Sequence, residues 1–190
     1  MNFIDKLESM HACREACEWV GGKSLEEAWE TCERGDWMLW FAVKAGIDRK
    51  KVVLAACECA RLSLKYIPEE EIRPLRAIEM AEAWADDKVS IKEVKQAAYA
   101  AYAAANATHA TNAAYAAAYA VYAATYTAYA SNATAKAAYA AYAAANAADA
   151  AAASTDAAAV DVRKSTLKKC ADIVRKRILV EDIEEAMRAV

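Results

Sequence analysis

Glycine and proline are scarce in this sequence, with four and two among 190 residues. No glycine-rich loop is available to cradle a phosphate, and the rarity of breakers favours long continuous elements. No segment alternates with a period of two, so no strand is expected. Histidine is nearly absent, at His11 and His109 only. There is no HExxH pattern and no Ser or Cys nucleophile signature, so nothing asks for catalysis. Neither sign of charge dominates. The net charge of −3 gives no reason to expect nucleic acid. No apolar run is long enough to cross a membrane. Met1-Asn2-Phe3-Ile4-Asp5-Lys6 lacks the basic start and apolar core of a signal peptide. Six cysteines are few for a disulfide scaffold, and they sit in apolar helical contexts. Reduced thiols in a cytoplasmic protein are expected. Together these exclusions point to an all-α fold: a compact bundle of eight to ten helices, without strands, metal or cofactor.

What the chain has in abundance is alanine and tyrosine. Residues 97–159 hold most of the ten tyrosines, no Gly, no Pro and only Lys136, Asp149 and Asp156 as formal charges. Alanine orders at no side-chain entropy cost, which makes it the best helix former, but it buries little area. Tyrosine supplies that area. Lys95, Tyr99, Tyr102, Asn106 and His109 follow helical spacing, as do Tyr115, Tyr119, Tyr122, Tyr126 and Tyr129, and then Tyr139, Tyr142, Asn146, Asp149, Ala153 and Asp156. The stripe slips at 109–115 and at 129–139, where Ser, Thr and Asn compete for backbone bonds. Three helices folded on one another satisfy these slips. A single rod is the alternative, about 95 Å long where a compact chain has a radius of gyration of about 16 Å. In one reading the rings fill gaps between alanine faces. In the other they form an adhesive surface, since Tyr gives large contact area at low entropy cost.

Ahead of this block, Phe3, Leu7, Met10, Cys13, Cys17 and Val20 fall on one helical face that Gly21-Gly22 ends. Ser24-Leu25-Glu26-Glu27 reads as a capping box, opening a helix that Gly35 ends. Asp36 then caps the short, wholly apolar Trp37–Val43, which marks a central helix. Gly46 stops it and Asp48 caps the next. Pro74 suits a first helical turn. Ser90-Ile91-Lys92-Glu93 is a second capping box. After the block, Val160, Leu167, Cys170, Val174 and Ile178 make one amphipathic helix, and Ile183, Met187 and Val190 a last short one. The organisation expected is 1–89 as a Trp/Cys-rich half, 90–159 as Ala/Tyr helices packed on it and 160–190 as the closing helices, all in one domain.

Several residues are candidates for chemistry. His11, Cys13, Cys17 and Cys32 have the ligand types for zinc, but their spacing matches no common zinc pattern, and buried free cysteine is the commoner state. The basic run from Arg163 to Arg177 is balanced by Asp161, Asp172, Glu181 and Asp182, as on a solvated face. Trp19, Trp29, Trp37 and Trp40 cluster closely, which core packing explains. Arg34 and Asp36 beside Trp37 give the sharper alternative of a recognition patch. The partner-binding candidates are thus Arg34, Asp36 and Trp37, with the ring stripe Tyr115, Tyr119, Tyr122 and Tyr126.

Glu18-Trp19-Val20, Ser24-Leu25-Glu26-Glu27-Ala28-Trp29, Cys32-Glu33-Arg34-Gly35-Asp36-Trp37-Met38-Leu39-Trp40, Ala55-Ala56-Cys57 and Leu167-Lys168-Lys169-Cys170, with the Ala/Tyr-rich second half, resemble a family of bacterial and phage immunity proteins. Arg34–Trp40 is the most specific part of the likeness. The resemblance implies a non-enzymatic protein that binds and neutralises a toxin or a defence effector. A small-molecule or nucleotide sponge and a purely structural helical module are the alternatives, and a homo-oligomer stays open.

Overall fold

The computed structural model describes residues 2–107, 142–143, 145–146, 149 and 159–188. Among them are nine α-helices and no strand: α1 Phe3–Ser9, α2 Arg14–Val20, α3 Leu25–Thr31, α4 Gly35–Ala45, α5 Arg49–Arg61, α6 Arg73–Ala85, α7 Ile91–Ala107, α8 Ala159–Arg177 and α9 Val180–Arg188. A 3-10 turn, Leu64–Tyr66, follows α5. The all-α expectation holds.

The centre of the molecule is α4, α5 and α8 packed on one another. The apolar run in α4 puts Met38, Leu39, Phe41, Ala42 and Ala45 out of water. From α5 come Val52, Val53, Ala55, Ala56, Cys57, Cys59 and Ala60, and from α8 Leu167, Cys170, Ala171 and Val174. The hairpin α6–α7 lies against α5, while α9 rests on α4 and α3. Ser90 and Glu93 open α7 with a reciprocal box. Glu93 Oε2 accepts from the Ser90 amide at 2.8 Å, and Ser90 Oγ accepts from the Glu93 amide at 3.4 Å. Asp48 caps α5 by accepting from the amides of Lys50 and Lys51.

Four expectations need correction. The single helix over Phe3–Val20 is two, because α1 closes with His11 in the left-handed region at φ +62°. The His11 amide donates to Glu8 O at 2.9 Å and the Ala12 amide to Leu7 O at 3.0 Å, the paired bonds of a Schellman ending. Histidine takes the position usually left to glycine, so periodicity runs through the break unseen. Second, Gly35 begins a helix instead of ending one. A Cβ there would lie 2.4 Å from Cys170 Cβ and 2.7 Å from the Ala171 amide nitrogen. Glycine is what lets α8 cross α4 this closely.

Third, Asp36 is not a cap. Arg34 holds that position with no side-chain bond to the helix, and Asp36 is the second residue of the first turn, buried. Fourth, on the described part of the Ala/Tyr block the inner face is alanine. Val94, Ala98, Ala101 and Ala104 are fully buried, while Tyr99 and Tyr102 are exposed, Tyr99 at 65%. Tyr142 is exposed as well, beside a buried Ala143. Here the small residues bring the helices close and the rings point away. The slips at 109–115 and 129–139, and with them the choice of three helices or a rod, lie outside the described residues.

Candidate functional site

The four N-terminal helices enclose a pocket of about 300 Å³ that opens to solvent. Phe3, Leu7, His11 and Ala12 from α1 and its ending form one wall, and Cys13, Ala16, Trp19 and Val20 from α2 form the next. Leu25, Ala28, Trp29 and Cys32 from α3 and its end, with Asp36, Trp37, Met38, Trp40 and Phe41 from α4, complete it. The break at His11 makes the space, because it turns α1 away from α2. Trp29 and Phe41 meet tilted at 58° with centroids 6.4 Å apart, and Phe3 meets Phe41 edge-on at 5.4 Å. These rings fix the floor while Trp19, Trp37 and Trp40 stay half-buried at its edge.

A ladder of cations and rings frames the opening. The Arg34 guanidinium lies 4.2 Å over the Trp37 ring, Trp37 lies 6.2 Å from Trp19, and Lys23 Nζ sits 4.3 Å over Trp19. On the far side Lys44 lies 5.6 Å over Trp40. Arg34 is held from beneath by Asp36: Nε donates to Oδ1 at 2.9 Å and Nη2 to Oδ2 at 2.8 Å. This fork-on-fork pair holds the guanidinium more firmly protonated than usual, with the bonds to Asp36 as the main cause. Nη1 reaches Glu15 on α2 at 3.4 Å. One arginine therefore ties α2 to α4 and orients Trp37.

Of the sequence candidates, the structure brings Arg34, Asp36 and Trp37 together, with Asp36 serving as a buried anchor and not as a surface group. Tyr115, Tyr119, Tyr122 and Tyr126 lie outside the described residues. His11 and Cys13 line the pocket mouth, but among the described residues no three His, Cys, Asp or Glu side chains are grouped to hold a metal ion. Trp19 and Trp40 belong to the rim, a role that clustering alone did not separate from core packing. Much of the basic run is spent on ion pairs: Arg163 with Asp149, Lys168 with Glu33 and Arg177 with Glu58. Arg175 donates to the Trp29 and Cys32 carbonyls at 3.0 and 2.8 Å. Burial pushes the Cys32, Cys57 and Cys59 thiols above their ordinary range, which keeps them protonated and unreactive.

The comparisons with known proteins bear on the same chain. The family described as "Imm-5 like putative immunity protein" matches residues 45–173, which is more than half of the sequence. The chain belongs to this family. No curated protein and no solved structure matches it significantly. The matched span takes in α5 to α7 and most of α8. The pocket and the Arg34–Trp40 segment precede it, so the stretch that carried the sharpest resemblance by sequence is not the stretch that the family match covers. Among the described residues, no helix of this immunity-family protein is long and apolar enough to cross a membrane.

Proposed function

We propose that this protein neutralises a toxin or a defence effector by binding it, without catalysing a reaction, inside the cell that makes it. Membership of the immunity family over residues 45–173 carries the reading. An open pocket rimmed by Trp and Arg agrees with it, since these residues dominate binding energy at protein interfaces. Arg34, Trp37, Trp19 and Trp40 are the proposed contacts. The stripe Tyr115, Tyr119, Tyr122 and Tyr126 is a second candidate face.

The test is co-expression with candidate effector genes drawn from the gene's own neighbourhood. Growth restored by the wild-type chain, together with a complex that co-elutes on size exclusion, is the expected result. Cells that die as they do without it, with no complex at micromolar concentration, overturn the reading.

Capture of a nucleotide is the second reading, and the aromatic pocket is what favours it. Against it, no Lys or Arg is among the described residues that line the pocket, and the rim cations Arg34, Lys23 and Lys44 are already set over Trp37, Trp19 and Trp40. A thermal-shift screen with nucleotides decides, because a ligand that binds the folded state raises Tm by mass action.

A further inference from the structure

The pocket between α1, α2, α3 and α4 offers a ligand rings and no open charge. Asp36 is the one acid among the described lining residues, and both its oxygens accept from Arg34. No Lys or Arg is among those residues, and His11 stands exposed at the mouth. The cations of the rim are engaged by the chain itself. Arg34 is bonded to Asp36 and Glu15, Lys23 Nζ donates to Trp19 O, and Lys44 lies over Trp40. A charged group entering would lose its hydration and find its counter-charges already matched.

The polar groups left over at the rim are donors. The Trp29 indole donates to Ile178 O, but the indole N–H groups of Trp19, Trp37 and Trp40 meet no acceptor among the described residues. An indole only donates. An occupant that covers such a group without accepting from it leaves a donor unsatisfied, which costs binding. The ring faces and edges suit a flat aromatic body, met in offset or edge-on contact. The volume of about 300 Å³ lies at the lower end of ligand sites, roughly 300–1,000 Å³, and fits one ring system. Phe and Trp side chains carry no acceptor, and Tyr carries its own at the far end. A free molecule with its acceptor near the mouth therefore fits better than a ring inserted by a partner protein.

We propose that this pocket binds a small uncharged aromatic molecule that carries a hydrogen-bond acceptor beside its ring. The ring enters among the Trp and Phe side chains, and the acceptor answers an indole N–H at the rim. The proposal goes beyond the neutralisation reading and does not depend on it.

The test uses the full chain labelled with nitrogen-15 and probes of closely related shape. Indole-3-acetamide is the neutral ring with an acceptor. Indole-3-acetate adds a negative charge, tryptamine adds a positive one, 3-methylindole lacks the acceptor, and cyclohexylacetamide keeps the amide without the aromatic ring. The indole N–H signals of Trp19, Trp37 and Trp40 report the pocket, and Trp84 on α6, which is not among the lining residues, is the internal control. We expect millimolar indole-3-acetamide to move the pocket signals and leave Trp84 in place. Each charged probe should bind roughly tenfold or more weaker, and the two remaining probes measurably weaker than the amide. Ala16→Phe, which fills the cavity from α2, should remove binding while circular dichroism and the Trp84 signal stay native. Cys13→Phe at the mouth serves if that variant does not fold.

No shift of the pocket indoles with millimolar indole-3-acetamide overturns the proposal. Equal binding of either charged probe, of 3-methylindole or of cyclohexylacetamide does the same. A capped Gly-Gly-Trp-Gly-Gly peptide that binds as tightly as the amide would assign the pocket to a partner's side chain and overturn it too. Binding that survives a folded cavity-filling variant puts the probe elsewhere and is equally fatal. A chain that binds the amide and neutralises nothing sinks the neutralisation reading alone, while neutralisation without any probe shift sinks the pocket proposal alone.

Discussion

Trp29 and Arg175 close each other's helices across 146 residues of chain. Arg175 Nη1 donates to Trp29 O at 3.0 Å and Cys32 O at 2.8 Å at the end of α3. The Trp29 indole in turn donates to Ile178 O at 3.3 Å, just past the end of α8. A helix leaves its last carbonyls unpaired, and here each end is satisfied by a side chain of the other. The Asp172 carboxylate steadies the guanidinium at 2.7 Å.

Arg175→Met should therefore cost about 2–3 kcal/mol, the range for losing bonds to a charged donor with their acceptors left half-buried. Arg175→Lys should recover only part of it, because an ammonium cannot fork to two carbonyls and a carboxylate. Urea unfolding of the two variants measures the difference, and equal stability of wild type and Arg175→Met would refute the clamp.

Gly35→Ala should lower stability by about 3 kcal/mol, the upper part of the usual overpacking range. The added methyl meets Cys170 Cβ and the α8 backbone, and the backbone cannot rotate aside. Gly22→Ala is the control. No atom lies within 4 Å of a Cβ there, so the change expected is within about 0.5 kcal/mol. Thermal unfolding of both reads the contrast.

On α7 the order of sensitivity should follow burial and not side-chain size. Ala98→Leu inserts volume into the face turned to the core and should cost about 1–3 kcal/mol. Tyr99→Ala removes a much larger group from an exposed position and should stay within about 0.5 kcal/mol. The reverse order in denaturant titrations would restore the view that tyrosine fills the core here.

Acid sensitivity has a specific contributor in Asp182. Lys51 Nζ at 2.7 Å holds its pKa below the ordinary 3.8, with help from the Leu179 amide at 3.0 Å. A carboxylate lowered in the folded state stabilises it above the unfolded pKa, and that contribution drains away as pH falls through the folded value. Asp182→Asn should reduce stability at pH 7 and flatten the decline in stability below about pH 4. An unchanged acid limb in urea unfolding at stepped pH would count against this ion pair.

The local signals in the sequence were read well wherever a short motif decides the structure. Ser90 with Glu93, Asp48 and Gly46 each act within four residues of themselves, and their caps are found where the motifs stand. What was missed depends on atoms far away in sequence. Gly35 looks like a helix stop until α8 is laid against it. The basic run keeps the exposed face that its composition suggests, with Lys164, Lys168, Lys169, Lys176 and Arg177 exposed, but only the fold brings Glu33, Glu58 and the α3 carbonyls to it. His11 takes a left-handed φ without being glycine, so the end of α1 carries no signal in the sequence.

The pocket suffered from the same blindness. Asp36 and Trp37 in its wall, and Arg34 at its rim, stand out by chemistry, yet the cavity is bounded by an α1 that stops at an unmarked place. The alanine face of α7 was overlooked for a different reason. Tyrosine carries more area than alanine, and area suggested burial. Close approach of helices needs small residues instead.

The Trp29–Arg175 clamp also sets an order of events. The pocket is built by the first 41 residues, but α3 and α4 are braced by α8, which a ribosome reaches some 146 residues later. At roughly 5–20 residues per second, the opening helices wait on the order of 10 s for the part that locks them. Until then the site has no rear support. A chain truncated before α8 should carry every rim residue and still lack a settled pocket.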